Sequence, residues 1–315
     1  MNGPHDTDDI DRIQHGLAAL REEVAKRIVG QSAVVEQLMT CLLCDGNALI
    51  ESNPGLGKTT LVRTIAEATD LSFSRIQNTP DLMPADITGT EIIRESGNTR
   101  EFVFEEGPVF ANLVLADEIN RATPKTQAAL LEAMQEKQVT TAGETRELPR
   151  PFFVLATQNP IDQEGTYPLP EAQTDRFLLK ILVEYPSRDE ERAIVDRYTT
   201  GAPDPAVDRV LSRQDLMRAQ QLTRQVPIAD DIRDRVIDLV RATRTADNVE
   251  FGASPRASMG LVLAAKARAF LEGRSHVSWE DVEAMAHPVL RHRLIVDFRA
   301  EREGITPDEV VADLL

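Results

Sequence analysis

Positive charge is in short supply in this chain. Its 315 residues carry 35 Lys and Arg against 52 Asp and Glu, a formal net charge of −17. A surface that acidic argues against broad, sequence-independent duplex binding, which needs cations on the phosphates. It argues equally against a polybasic membrane anchor. Most of the positive charge is arginine, and lysines such as Lys58 and Lys125 are few. That balance fits a salt-rich cytoplasm and fits ordinary acidic solubility equally well. Long apolar runs are missing too: no stretch approaches the ~18 residues of a spanning helix. The first 23 residues hold Asp6, Asp8, Asp9, Asp11, Arg12, Glu22 and Glu23 around no apolar core, so no secretory signal is expected. Cysteine is limited to Cys41 and Cys44, with no further ligands clustered nearby for zinc. At i and i+3 of an apolar helix they read as core residues, a redox pair being the alternative. A reduced, cytoplasmic protein is the inference. Internal repeats and low-complexity tracts are also lacking.

What is present points to two domains. The length suits about two at ~150 residues each, and 42% hydrophobic content is enough for real cores. Residues 1 to about 28 and 31 to 45 read as two helices. Strand-like and helix-like segments then alternate: Ala48 to Glu51, a glycine-rich turn, a helix from Lys58 to Thr69, and strands at Leu71 to Ile76, Leu113 to Ala116, Phe152 to Ala156 and Phe177 to Val183. Thr123-Pro124 marks a helix start, a cap residue followed by proline. Such alternation predicts a parallel sheet covered on both faces. Two segments break the rhythm. Residues 79 to 108 contain a hairpin arm, FVFEEGP, and residues 138 to 151 form a β-hairpin turning near Ala142-Gly143. After Tyr185-Pro186 the pattern is helical, with capping boxes at Ser187-x-x-Glu190 and Thr306-x-x-Glu309 and a close variant at Ser278-x-x-Asp281. The expected division is therefore 1–185, an α/β domain, and 186–315, a smaller all-helical domain.

The strongest chemical signal is Asn53-Pro54-Gly55-Leu56-Gly57-Lys58-Thr59-Thr60. A turn between strand and helix wraps backbone N–H groups around phosphate oxygens, and the helix N-terminus adds its positive end. Lys58 can reach β- and γ-phosphates, and the Thr59 hydroxyl can ligate Mg²⁺. The usual pattern begins with glycine; here that position is Ser52. The second signal is Leu113-Val-Leu-Ala-Asp117-Glu118, an apolar strand delivering two acids at its C-terminal end, where ligands sit in open α/β sheets. Asp117 suits Mg²⁺ and Glu118 suits polarising an attacking water. Arg256 follows a cap, Ser254, and a first helical residue, Pro255, so it opposes the helix dipole. A nucleotide phosphate would offset that; so would a neighbouring Asp or Glu.

The chain resembles the MoxR family of AAA+ ATPases over about residues 25 to 300. The matching strings are IVGQ (28–31), NPGLGKTT (53–60), GPVFANLVLADEINRATPKTQAALLEAMQE (107–136), LATQNPIDQEGTYPLPEAQTDRF (155–177), GASPRA (252–257) and LRHRL (290–294). The resemblance implies a three-layer αβα core with a helical lid, ATP and Mg²⁺ as cofactors, and hydrolysis of ATP to ADP and phosphate. It makes Asn159 the sensor 1 residue, an Asn-Pro turn being the plain alternative. It makes Arg176 an arginine finger acting on a neighbouring subunit's nucleotide, against a surface salt bridge with Asp175. Arg256 becomes sensor 2, and Val29, Gly30 and Gln31 the adenine-side strip, against an ordinary inter-helix turn. Both hairpins would face a ring pore, a client or only solvent. His287 reads as structural, and Arg121 as a partner for Glu118 or across a subunit boundary. The resemblance also implies a homo-oligomeric ring, of six subunits in the family's manner, and partners with von Willebrand factor A domains. So does assembly, remodelling or metal insertion in a client complex. A nucleotide-gated binding module with slow hydrolysis is the second reading, and a DNA-stimulated ring translocase, disfavoured by the acidity, the third.

Overall fold

The computed structural model describes residues 4–96, 99–141, 143–160, 165–201 and 203–315. Five short strands form one parallel sheet: β1 (Ala48–Ser52), β2 (Phe73–Gln77), β3 (Leu113–Asp117), β4 (Phe153–Gln158) and β5 (Leu179–Val183), in the spatial order β2-β3-β4-β1-β5. Each apolar run alternates its side chains across the sheet. Ile50, Leu113, Leu115, Phe153 and Leu155 join Leu38, Leu42, Leu61 and Ile65 from the helices Ser32–Cys44 and Lys58–Ala68 on one face. Leu49, Val114, Ala116, Val154 and Ala156 join Leu130, Leu131 and Met134 of the helix Pro124–Glu136 on the other. The result is the αβα sandwich expected from strands that read as continuous apolar runs. Leu71, Phe152 and Phe177 lie just outside the strands that the sequence assigns them to. They are apolar because they are buried, not because they are extended.

Both rhythm-breaking segments are hairpins. Gly89–Ser96 pairs antiparallel with Thr99–Glu106, and Gln138–Thr141 with Glu144–Glu147. Gly97 and Ala142, in the two turns, lie outside the described residues, as do residues 161–164 of the long matching string. After Val183 the chain is helical from Arg188–Tyr198 to Pro307–Leu314, with one addition. Val249–Phe251 and Ile295–Val296 form a two-stranded antiparallel ribbon, too short for any periodicity to reveal. Ser187, Thr306 and Ser278 all form capping boxes.

The helices of the second part, including Arg213–Gln225 and Pro255–Leu271, pack on Ser32–Cys44, so the apolar core continues from the sheet face into that part. Cys41 and Cys44 lie inside this core as free thiols, and burial pushes both well above the usual thiol range. They are packing residues.

Candidate functional site

All five strands run the same way, so Ser52, Gln77, Asp117, Gln158 and Val183 end at one edge of the sheet. The phosphate loop leaves that edge after β1. Gly55 and Gly57 sit at φ of 82° and 74°, and Gly57 caps the helix Lys58–Ala68. Only glycine holds such angles without strain, and the turn aims the first N–H groups of the helix into a cavity of about 280 Å³. Pro54, Gly55, Leu56, Gly57, Lys58, Thr59, Thr60, Arg75, Gln77, Asp117 and Glu118 line it. The Lys58 ammonium donates to Ser52 Oγ at 2.6 Å and to the Asn53 carbonyl at 3.4 Å. Burial lowers its pKa, and the nearby carboxylates of Asp117 and Glu118 oppose that shift. Ser52 thus takes the place of the usual first glycine and accepts a hydrogen bond from the loop lysine.

The acids are fixed by neighbours that the sequence reading does not single out. Thr157, fully buried in β4, donates to Asp117 Oδ1 at 2.7 Å and accepts from the Glu118 N–H at 2.9 Å. Its polarity inside the run FVLAT was the available signal. Arg75, on β2, donates two bonds to Asp117 Oδ2, at 2.5 and 3.2 Å. Gln77 donates to Glu118 Oε2 at 3.1 Å, and Arg121 reaches the same oxygen at 3.1 Å. A carboxylate and a hydroxyl, Asp117 and Thr59, face one cavity beside backbone donors. That oxygen donor set suits Mg²⁺, which takes one or two protein oxygens and completes its shell with phosphate and water. A guanidinium already resting on Asp117 shows that the position accepts a cation.

A second cavity of about 440 Å³ adjoins the first across Pro54, Gly55, Leu56, Gly57 and Thr60. Arg27, Ile28, Val29, Gln31, Tyr185, Pro186, Glu191, Ile194 and Tyr198 complete its walls. Its apolar lining and position suit a purine base. Gln31 donates to the Leu56 carbonyl at 3.1 Å, tying this strip to the phosphate loop. Gly30 does not line the cavity; it is glycine because its φ is +67° and a Cβ would collide with Glu190. Asn159 follows β4 directly. The parallel register of β4 with β1 places it level with Ser52, between the phosphate strand and the acid strand.

The remaining cations lie elsewhere. Arg256 lines neither cavity. Its Nε is 3.9 Å from Asp175 Oδ2, and Ser254, which caps the helix as expected, donates to the same oxygen at 3.4 Å. A neighbouring carboxylate therefore offsets the opposed dipole. Arg293, its side chain almost fully buried, donates to Asp175 Oδ1 at 2.8 Å and to the carbonyls of Phe177 and Leu178. Burial lowers the pKa of this guanidinium while Asp175 holds it up. Asp175 is thus committed to Arg293 and Arg256. Arg176 pairs with no carboxylate among the described residues, so the expected alternative of an Asp175–Arg176 bridge is not formed. His287 sits 3.3 Å from Asp308, which also accepts from Arg291, a tie between helices.

The comparisons with known proteins agree on what this arrangement is. Residues 47–179 match the profile of the "ATPase family associated with various cellular activities (AAA)", and residues 241–314 match that of the "AAA lid domain". The chain is 46% identical to Chaperone MoxR1 of Mycobacterium tuberculosis, over 96% of this chain and 81% of that one. It belongs to the MoxR family of AAA+ ATPases. Protein MoxR of Paracoccus denitrificans is 32% identical over 89% of each chain. The crystal structure of a candidate ATPase from Cytophaga hutchinsonii superposes with a TM-score of 0.93 at 39% identity, covering 98% of this MoxR-family chain and 96% of its own. The superposition thus spans both the α/β core and the helical lid. Among the described residues, no helix is long and apolar enough to cross a membrane.

Proposed function

We propose that this chain is a Mg²⁺-dependent ATPase that works as a ring and spends the energy on a client protein complex. The observation that carries the reading is the convergence of Lys58, Thr59, Asp117 and Glu118 on one cavity beside an apolar base site. In this reading residues 1–185 form the nucleotide-binding core and residues 186–315 the lid. Val29 and Gln31 contact the base, with Gly30 shaping the turn between them. Asn53 to Thr60 cradle the phosphates. Thr59 and Asp117 hold Mg²⁺, which neutralises phosphate charge when bound. Glu118 accepts a proton from the attacking water. Gln77 and Arg121 position that carboxylate. Asn159, at the edge of the middle strand, orients the water toward the γ-phosphate.

The ring follows from Arg176. Among the described residues its guanidinium has no carboxylate partner, and Asp175 beside it is taken by Arg293 and Arg256. A cation left unpaired beside a rigid turn suits a neighbour's triphosphate, where neutralising transition-state charge gives 10³- to 10⁵-fold in related enzymes, about that order. Six subunits, a cytoplasmic location and partners with von Willebrand factor A domains are further parts of the proposal, supported by the family. The name of the mycobacterial relative, Chaperone MoxR1, supports a client-directed role. So does the Gly89–Glu106 hairpin, where Ile93 and Phe102 face each other across the strands and Phe102 is 74% exposed. An apolar pair displayed on a projecting hairpin suits contact with another polypeptide.

Phosphate release from ATP, measured with and without Mg²⁺, tests the reading. Purified protein that binds ATP but releases no phosphate at any concentration leaves only the nucleotide-gated binding module. In a Glu118→Gln protein, ATP binding should persist and turnover stop. Client proteins retained by that variant in ATP, and released in ADP, would support remodelling.

A further inference from the structure

Two adjacent carboxylates at the end of an apolar strand pose an electrostatic problem. Asp117 has only about a tenth of its side chain exposed, and Glu118 a quarter. Without nucleotide and metal, two like charges on consecutive residues would repel each other at the end of an apolar strand. The structure solves this from within. Arg75 leaves the middle of β2 and lays its Nε and one terminal nitrogen on Asp117 Oδ2. The same terminal nitrogen donates to Gln77 Oε1 at 2.8 Å, and Gln77 in turn donates to Glu118. Arg75 thus compensates Asp117 directly and steadies Glu118 through an amide, while Arg121 pairs with Glu118 Oε2 at 3.1 Å. The free lone pairs of Asp117 are then nearly used up, since Oδ1 already accepts from Thr157.

We propose that Arg75 is a built-in countercation that occupies the metal-binding carboxylate when the site is empty, and that a divalent cation must displace it. This rests on the reading of the cavity as a nucleotide site. Arg75 is a positioning residue: it acts through Asp117, and on displacement its guanidinium, nearly half exposed and lining the same cavity, is free to turn toward phosphate oxygens. Metal and arginine compete for one carboxylate, so metal affinity and stability of the empty site are set against each other. Removing Arg75 has two opposite consequences. The divalent cation gains an unopposed ligand, while metal-free nucleotide loses a nearby positive charge. A residue needed only for folding would weaken both.

The probe is Mn²⁺, an oxygen-seeking cation counted as the free ion by EPR, titrated into nucleotide-free protein, with Asp117→Asn as the background. Arg75→Gln should tighten Mn²⁺ binding above that background by about tenfold, the size of one charge-assisted hydrogen bond lost by a competitor. Arg75→Lys keeps the charge but not the two-pronged contact, and should shift binding in the same direction by less. Mn²⁺ binding that is unchanged or weaker in both variants overturns the proposal. A fluorescent ATP analogue in EDTA supplies the second arm: its affinity should fall in Arg75→Gln, and a rise would overturn the proposal as well. If the wild-type protein fails to bind the analogue with or without metal while the Mn²⁺ shift stands, the ATPase reading falls and the competition at Asp117 survives.

Discussion

Two clusters of charge in this molecule behave differently. At the C-terminal edge of the sheet, Lys58, Thr59, Asp117 and Glu118 meet in one cavity, and every charge has a partner within the chain. At the corner where the lid meets the core, Asp175 is held by Arg293 and Arg256, while Arg176 next to it meets no carboxylate among the described residues. Among the described residues the first cluster is fully paired and the second leaves one cation over. The difference teaches which parts of a phosphate-handling site a single chain can assemble. Parallel register brings strand ends together within one chain, whereas the proposed partner of a cation presented on a clamped turn is an anion on another molecule.

The largest expected effect comes from breaking the complete cluster. Lys58→Ala removes the ammonium proposed to meet the β- and γ-phosphates, and turnover should fall at least about 10³-fold with loss of ATP binding, read by phosphate release and by fluorescent-nucleotide titration. Breaking the incomplete cluster should look different. Arg176→Ala should lower turnover by about 10²- to 10³-fold while leaving nucleotide affinity in one chain unchanged. Mixing Arg176→Ala with Lys58→Ala subunits should restore part of the activity, because an intact Arg176 can then face an intact Lys58. No rescue in assemblies confirmed by mass would place the arginine's action within its own chain.

A third substitution tests what keeps Arg176 in place. Arg293→Met leaves the Asp175 carboxylate and two carbonyls without their buried donor, and unfolding in denaturant should show a loss of about 3–5 kcal/mol. The smallest effect concerns His292, next to that arginine. Burial holds its pKa well below 6.5, and the charge of Arg293 adds to the shift. The folded state therefore keeps the ring neutral where the unfolded chain would take up a proton, so stability should decline as the pH falls below about 6.5. His292→Asn should lessen that decline. An unchanged slope between pH 7 and pH 5 would show that the ring is protonated in place.

Much of the complete cluster was legible in the chain before folding, and little of the other. NPGLGKTT and LVLADE announce themselves because loop and strand chemistry are local: glycines at fixed offsets, a lysine and a hydroxyl after them, two acids after an apolar run. Their mutual placement also followed, since parallel strands end at a common edge. Arg75 and Gln77 did not show, because a charged residue in a half-exposed strand such as FSRIQ carries no signature until its neighbour strand is known. Thr157 offered a faint one, a hydroxyl inside an apolar run. The Val249–Phe251 and Ile295–Val296 ribbon was beyond pattern reading, since its two strands are too short to alternate.

By itself the sequence determined the family, the order of strand and helix, the phosphate loop and the acid pair, and an overall acidity compatible with a few fixed cations. All of these depend on residues close together in the chain. Tertiary structure alone decided that Ser52 would hold Lys58, that Arg75 would rest on Asp117, and that Asp175 would be taken by Arg293, leaving Arg176 without a carboxylate among the described residues. Those outcomes join residues from six to more than a hundred positions apart. Which cation reaches a given carboxylate is a matter of packing and competition, and composition does not record it.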